Sequence, residues 1–331
     1  MARAALMRAL KLALLILALL PTLWLRSVQP PPPRDPAIQL ADLMPALRSS
    51  LPATGALRLE GAWQILGQAR LLGTLSGLAQ TRDGLVAVGD RGGILWFPRP
   101  DRPGPWYARA SRLINLDWNT YHYPTDAEAV MVDPADGGLL VAYEDAPLLE
   151  RYSPDLARRS GIPLPVLAAW PDNQGPEATA RLFDGRTVMV GETYARLLDR
   201  TRHPGLIFTG MPRPFESPQR FELVMPAGYR PSELAQMPDG RLLILGRHFS
   251  LMGFRSVIAV FAPQDIRPGA VLTPKVIARI DDPRIRDNYE GMLVTHEPDG
   301  SQMVWLISDS NEMAVLQRTM LLKLRIGPEV R

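Results

Sequence analysis

The chain has 331 residues, an apolar content of 46% and a formal net charge of +3, which is enough apolar material for a large packed core. It contains no cysteine, and this excludes disulfides, iron–sulfur clusters, cysteine-ligated zinc and thiol nucleophiles. Nearly all of its positive charge is arginine, mixed with 34 acidic residues, so we expect a mixed solvated surface and no nucleic-acid partner.

The first 27 residues have the pattern of a secretory signal. Arg3, Arg8 and Lys11 precede an apolar run at residues 12–25, as in the n-region and h-region of exported proteins. No small-residue cleavage site follows the run, so residues 1–27 are predicted to be a signal peptide or a retained signal anchor. The body is then expected in the periplasm or outside the cell, and an anchor would tether it to the inner membrane.

Residues 28–54 are predicted to form a linker and an irregular lead-in. Five prolines within residues 29–36 favour extended polyproline geometry, which makes a stiff spacer. Residues 55–328 are predicted to form one folded domain, because a single repeated pattern runs through them.

A hairpin motif recurs along residues 55–328. Each copy has a small or acidic residue, a short apolar run, an Asp-Gly pair, a second apolar run and a polar tip. An Asp-Gly pair between apolar runs indicates a hairpin, and we expect a type I′ turn with positive φ at both residues. The five pairs are Asp83-Gly84, Asp136-Gly137, Asp184-Gly185, Asp239-Gly240 and Asp299-Gly300.

The spacing of the copies predicts the fold. Their first strands begin around Gly77, Glu128, Glu177, Glu233 and Glu290, at intervals of 51, 49, 56 and 57 residues. A period of about 50 residues built from hairpins is typical of a β-propeller, whereas an irregular β-sandwich needs no even period. The domain is therefore predicted to be all-β, a propeller with five blades, or six if the interval from Thr193 to Gly228 contains a degenerate one.

Two further strands are predicted at the ends of the domain. Leu57–Leu66 and Thr319–Ile326 have strand patterns outside the motif. Propellers commonly complete one blade from both chain ends, which removes an open sheet edge. We therefore expect the first of these strands to close the ring against the blade of Glu290.

The motif also gathers ionisable residues. The start of the first strand of a hairpin lies beside the end of the second, so these positions should share one mouth of the central channel if the first strand is innermost. Carboxylates that converge need a cation or arginine partners, and calcium accepts about six to eight oxygens. A repeated glutamate can equally be a structural clasp on backbone N–H groups of the next blade. Residues expected at this mouth are Asp90, Arg91, Glu128, Glu144, Asp145, Glu177, Glu192, Glu233, Arg247, His248, Glu290, Asp309 and Asn311.

Several of these positions lie in stretches that resemble a known family. The stretches are Ser76-Gly77-Leu78 with Gly89-Asp90-Arg91-Gly92, Asp126-Ala127-Glu128-Ala129, Gly175-Pro176-Glu177-Ala178, Ser232-Glu233-Leu234 with Arg247-His248-Phe249, and Asn288-Tyr289-Glu290-Gly291 with Ser308-Asp309-Ser310-Asn311. They resemble the phytase-like family, known as esterase-like activity of phytase, with Gly77 standing where other copies have glutamate. The resemblance covers about residues 55–328 and implies an exported bacterial propeller that hydrolyses an ester or a phosphoester.

We predict hydrolysis of a small anionic phosphate or carboxylate ester, with Ca²⁺ or another divalent cation and no organic cofactor. The alternative is a non-catalytic periplasmic propeller scaffold that binds a protein partner or an envelope glycan. The predicted roles are catalysis for Asp90, Glu290 and His248, substrate binding for Arg91, Arg247 and Asn311, and metal binding for Glu128, Glu177 and Asp309.

Overall fold

The computed structural model describes most of the chain beyond the predicted signal segment. The described residues are 7–8, 10–14, 38–67, 70–113, 126–144, 146–171, 174–196, 198–251, 253–311 and 317–330. Residues 7–8 and 10–14 are helical, and the rest of the predicted signal or anchor lies outside the described residues. Within the described part, no helix combines the length and the apolar character that crossing a membrane requires.

From residue 38 onward the described residues consist mainly of strands, with one short α-helix, α1 (Met44–Leu47). The strands in chain order are β1 (Gln39–Asp42), β2 (Leu57–Leu66), β3 (Leu75–Gln80), β4 (Leu85–Gly89), β5 (Gly93–Phe97), β6 (Arg109–Arg112), β7 (Ala127–Val132), β8 (Leu139–Tyr143), β9 (Leu148–Tyr152), β10 (Arg159–Pro163), β11 (Ala178–Arg181), β12 (Thr187–Val190), β13 (Arg202–Phe208), β14 (Gln219–Val224), β15 (Arg230–Gln236), β16 (Leu242–Ser250), β17 (Gly253–Phe261), β18 (Val271–Leu272), β19 (Lys275–Ile280), β20 (Asn288–His296), β21 (Gln302–Asp309) and β22 (Met320–Ile326).

These strands form five sheets, which are the blades of a propeller. From the channel outward, blade one is β3-β4-β5-β6, blade two β7-β8-β9-β10, blade three β11-β12-β13-β14-β18, blade four β15-β16-β17-β19 and blade five β20-β21-β22-β2-β1. The innermost strands β3, β7, β11, β15 and β20 pack side by side in a closed circle. The all-β, five-bladed prediction is confirmed.

The core lies between neighbouring blades. Val88 of blade one and Val141 of blade two belong to one cluster of buried side chains, and Val190 of blade three and Ile244 of blade four belong to another. A sheet covered on both faces needs apolar side chains on both, so its strands lose the apolar–polar alternation of a half-exposed sheet. This is why the inner strands appear in the sequence as short continuous apolar runs.

The predicted ring closure is also confirmed. β2 pairs with β22, with Leu57 opposite Ile326 and Gln64 opposite Met320. It therefore completes blade five from the other end of the chain. β1, which the sequence indicated only as lead-in, adds a further strand at the edge of this blade. The interval between Thr193 and Gly228 contains β13 and β14 of blade three, and the described residues form no sixth sheet.

The Asp-Gly turns differ from the predicted type. In the described turns only the glycine has positive φ, with Gly240 at 91°. The Gly240 N–H donates to Met237 O at 2.9 Å, and Asp239 Oδ1 accepts from the Arg241 N–H at 3.0 Å. This is a tight turn followed by a left-handed glycine, a common hairpin connection. The aspartate contributes by bonding the backbone two residues on and does not need positive φ.

Candidate functional site

A β-bulge at the start of the inner strands sets the geometry of the channel mouth. In β3, β7, β15 and β20 the pairing with the second strand skips one residue, which is Ser76, Glu128, Ser232 or Glu290. Glu177 immediately precedes Ala178, the first paired residue of β11. Bulges bend a strand and redirect a side chain, and they are frequent beside functional sites.

The bulges correct the alignment of the repeat. Ser76 and Ser232, not Gly77 and Glu233, occupy the bulge position that Glu128 and Glu290 take in β7 and β20. The distance to the Asp-Gly pair does not fix this position, because it is seven residues for Ser76 and Ser232, eight for Glu128 and nine for Glu290. Glu233 instead takes the following position, where the other blades have Gly77, Ala129, Ala178 and Gly291.

Eight carboxyl groups converge at the mouth, and we call this group the carboxylate basin. Each of them interacts electrostatically or by hydrogen bonds with others of the group or with Arg247. Five of the eight are buried, and Asp90, Asp126 and Glu144 are half-buried. The basin consists of Asp90, Asp126, Glu128, Glu144, Glu177, Glu192, Glu290 and Asp309.

Arg247 places its guanidinium among these carboxylates. Its Nη2 lies 3.1 Å from Glu192 Oε1 and 3.5 Å from Glu177 Oε2, and its Nη1 donates to Glu290 Oε1. Only 22% of its side chain is exposed. Arg247 therefore acts first as a counter-ion that joins blades three, four and five, and its guanidinium has little surface left for a substrate.

Burial and mutual repulsion disfavour ionisation in the basin. Desolvation, followed by repulsion from Asp126, raises the pKa of Asp90 to about 8. Desolvation also raises the pKa of Glu144 to about 7, and it raises the pKa values of Glu128 and Glu177 well above their usual range. Without a further cation, several of these groups must hold protons at neutral pH.

Two groups of three carboxylates have the spacing of a cation site. One oxygen from each of Asp90, Asp126 and Glu128 lies within 4.8 Å of the others, and the same holds for Glu128, Glu144 and Glu177. Glu128 belongs to both groups. Oε2 of Glu177 is buried and accepts no hydrogen bond from the described residues, with Arg247 Nη2 as an ion-pair partner at 3.5 Å.

Most, but not all, of the predicted site residues meet here. Asp90, Glu128, Glu177, Arg247, Glu290 and Asp309 lie together in the basin. His248 follows Arg247 on β16 and points to the opposite face, where its Nδ1 lies 2.7 Å from Gly228 O and its ring packs on Tyr229. Alternation along a strand separates these two neighbours.

The two remaining predicted ligands of the substrate lie at the edge. The backbone N–H of Asn311 donates to Asp309 Oδ1 at 2.7 Å, and its side-chain amide donates to Gln317 at 2.8 Å. Asn311 thus positions Asp309 rather than facing the basin. The backbone of Arg91 lies in a short 3₁₀ turn beside Asp90, while its side chain and Asp145 lie outside the described residues.

Four residues without a role predicted from the sequence complete the site, although Glu144 was expected at the mouth. Asp126 and Glu144 belong to the two carboxylate groups. Ser76 Oγ donates to Glu290 Oε2 at 3.1 Å. Arg230, opposite Arg247 in the β15–β16 pair, contacts Glu192 Oε2 at 3.0 Å and keeps 38% of its side chain exposed. It lies on the rim and is the more accessible of the two cations.

Glu233 is a clasp and not a member of the basin. Its Oε1 accepts the Leu234 N–H at 2.9 Å, and its carboxyl group also accepts backbone N–H groups of Thr179 and Leu78. These donors lie on β15, on the adjacent β11 and on β3 across the channel. Of the two interpretations of the repeated glutamates, the structural one therefore applies to Glu233.

Replacing Glu233 with glutamine is expected to remove a pH-dependent part of the stability. Desolvation raises the pKa of Glu233 in the folded protein well above 4.5. The protonated carboxyl group therefore stabilises the fold at acidic pH, and this contribution is lost as the pH rises from about 4.5 through the folded-state pKa. From about pH 5 to about pH 8 the wild type should lose on the order of 1–2 kcal/mol relative to Glu233→Gln, measured by urea unfolding. Parallel stability curves for the two proteins would contradict this.

Below Glu233 the channel opens into a cavity of about 230 Å³. All five inner strands line it, with Met131, Ala180 and Met292 among the apolar groups and Arg181 and Gln236 among the polar ones. Its residues lie toward the Asp-Gly turns, so Glu233 separates this cavity from the carboxylate basin.

A family model matches the part of the chain that carries these features. It covers residues 70–312, from the start of blade one to the end of the basin, and it is described as "Phytase-like: Esterase-like activity of phytase". The chain belongs to this phytase-like family. A comparison with curated protein sequences gave no match.

Solved structures similar to this phytase-like chain include three from different sources. The major allergen Mala s 1 of Malassezia sympodialis is 11% identical with a TM-score of 0.43, over 81% of this chain and 87% of its own. A luciferin-regenerating enzyme is 10% identical with a TM-score of 0.43, over 88% of this chain and 97% of its own. A gluconolactonase of Xanthomonas campestris is 15% identical with a TM-score of 0.37, over 91% of this chain and 90% of its own.

Proposed function

We infer that this phytase-like propeller is a hydrolase that cleaves a phosphate or carboxylate ester with a divalent cation held in the carboxylate basin. The observation that carries this proposal is an imbalance of charge. Eight carboxyl groups from blades one, two, three and five face one another around the mostly buried guanidinium of Arg247, which blade four contributes. A structural role alone gives no reason for repelling groups from different blades to meet at one open mouth.

The donor set fits a hard divalent cation. Both groups of three offer only carboxylate oxygens, which is the ligand type that calcium and magnesium prefer. The buried Oε2 of Glu177, which accepts no hydrogen bond from the described residues, is free to become a ligand. Glu128, shared by both groups, would be the central ligand. Of the three residues predicted to bind metal, Glu128 and Glu177 fit this assignment, and Asp309 lies at its edge.

Once bound, such a cation would polarise the ester and lower the pKa of a water molecule. The residues of the chain would do the remaining work. With the cation at Glu128, Glu144 and Glu177, the hydrogen bond that Asp90 and Asp126 share would keep a proton available for a leaving group. Ser76 and Asn288 donate to Glu290 and fix its orientation. Arg230 on the rim would hold the anionic part of the substrate.

Removing divalent cations is expected to abolish ester hydrolysis by the purified full-length protein. Turnover of a panel of phosphate and carboxylate esters should disappear in chelator and return with added calcium or magnesium. Binding to the folded state alone should also raise the stability, by about 2.7 kcal/mol at a concentration 100 times the dissociation constant. A protein that contains no metal, gains no stability from cations and hydrolyses none of the esters would contradict the proposal and favour the scaffold alternative.

A further inference from the structure

The second hairpin of blade four projects beyond the channel mouth. The inner strand β15 begins at Arg230, opposite Arg247, and the fourth strand β19 ends at Ile280, opposite Ser256. β16 and β17 continue for three more residue pairs, to Ser250 and Gly253. At about 3.4 Å per residue these pairs carry the tip about 10 Å past Arg247.

The tip of this hairpin is apolar and exposed. Phe249 is 67% exposed and Leu251 is fully exposed, and the ring of Phe249 packs against that of Phe254 at 4.9 Å. Single exposed apolar residues are common, but a projecting aromatic pair with a leucine at its tip indicates a contact surface.

A second apolar tip lies beside it in blade three. Leu198, in the loop between β12 and β13, is 96% exposed. Tyr194 of the same loop lies under the guanidinium of Arg230 in blade four, and Tyr229 of blade four packs on His248 at the base of the hairpin. The two apolar tips therefore belong to neighbouring elements of the same face.

Arginines surround both tips. Arg196 and Arg200 lie on either side of Leu198 and are exposed. Arg196 pairs with Glu222 at 3.2 Å, and Arg202 binds Asp199. Arg255 follows Phe254 at the base of the hairpin and is half-buried, and its buried Nε has no hydrogen-bond partner among the described residues. Apolar tips with arginines at their base match the interfacial region of an anionic bilayer, which accepts apolar groups and attracts positive charge.

The path of the chain supports the same orientation. β1 pairs with β2 so that Gln39 lies opposite Leu66, at the end of the blade-five sheet that also holds Asp309. The chain therefore enters the propeller on the side of the mouth. The apolar run at residues 12–25 precedes this point by a short proline-rich stretch.

We propose that the mouth face of the propeller docks on an anionic lipid bilayer, with Phe249, Leu251 and Leu198 inserted at the interface. The carboxylate basin then faces the membrane surface, about 10 Å from the inserted tip. Opposite this face, the Asp-Gly turns carry a separate exposed aromatic residue, Phe183, at 70% exposure, which serves as a matched control.

The chain contains no cysteine, so a fluorophore can be attached at one chosen position of the full-length protein. An environment-sensitive label at Leu251→Cys should shift to the blue and be quenched by lipid-attached nitroxides in vesicles of phosphatidylcholine with phosphatidylglycerol. The shift should be smaller in pure phosphatidylcholine and should weaken with salt. Adding Phe249→Ser should lower the inserted fraction by about 10-fold, and Phe183→Ser should not change it.

A label at Phe183→Cys should remain in water under all of these conditions. The proposal is overturned if the Leu251→Cys label stays as accessible to iodide with vesicles as without them. It is also overturned if the label becomes protected without lipid as the protein concentration rises, which would indicate a second copy of the chain, or only when another protein is added.

Discussion

Replacing Arg247 with methionine is expected to destabilise the protein by about 3–5 kcal/mol at neutral pH, because buried carboxylates would lose their counter-ion. Arg247 contacts Glu177, Glu192 and Glu290 from two other blades. Desolvation raises the pKa values of Glu177 and Glu290, and the positive charge of Arg247 offsets part of this rise. Without it these values rise further, so the loss of stability should be small at acidic pH and should grow as the pH rises. Thermal and urea unfolding across this range would measure it.

Arg241→Met is the matched control for this experiment. Arg241 also lies in the β15–β16 hairpin region, but it pairs with Asp239 at the exposed turn, and such surface pairs contribute about 0–1 kcal/mol. Added calcium should restore part of the stability of Arg247→Met and none of that of Arg241→Met. Equal losses in the two variants, or a loss that does not depend on pH, would contradict the role assigned to Arg247.

Replacing Glu128 with glutamine is expected to change stability and activity in opposite directions. Glu128 is buried, and desolvation raises its pKa well above 4.5, so its ionisation costs stability increasingly as the pH rises above that value. In chelator at about pH 8 the variant should therefore be more stable than the wild type, by on the order of 1–3 kcal/mol. Since Glu128 belongs to both carboxylate groups, cation binding and turnover should fall by at least about 100-fold.

Glu222→Gln controls for the loss of a carboxylate elsewhere. Glu222 lies on β14 and pairs with Arg202 and Arg196 at the surface. It should alter neither cation content nor turnover. Elemental analysis, calorimetric cation titration and urea unfolding provide the three measurements. A Glu128→Gln protein that retains wild-type cation content and turnover would exclude the carboxylate basin as the catalytic site.

The sequence identified the membership of the basin better than its internal arrangement. The repeat placed Glu128, Glu177, Glu290, Asp309 and Arg247 at one mouth, because hairpin topology brings the two ends of each hairpin to one edge. It did not separate Glu233 from them, since a one-residue bulge changes the direction of a side chain without changing the spacing of the motif. It also placed His248 with Arg247, although adjacent residues of a strand point to opposite faces.

The sequence by itself predicted an all-β ring of five blades, or six, and its closure by Leu57–Leu66, because hydrophobic runs and Asp-Gly pairs are local patterns whose period indicates the number of blades. Only the tertiary structure decided that Arg247 is a counter-ion, that Arg230 is the accessible cation and that Glu233 bonds the backbone across the channel. These roles depend on distances between residues of different blades. No local pattern encodes those distances, because they are fixed when the five sheets pack around the channel.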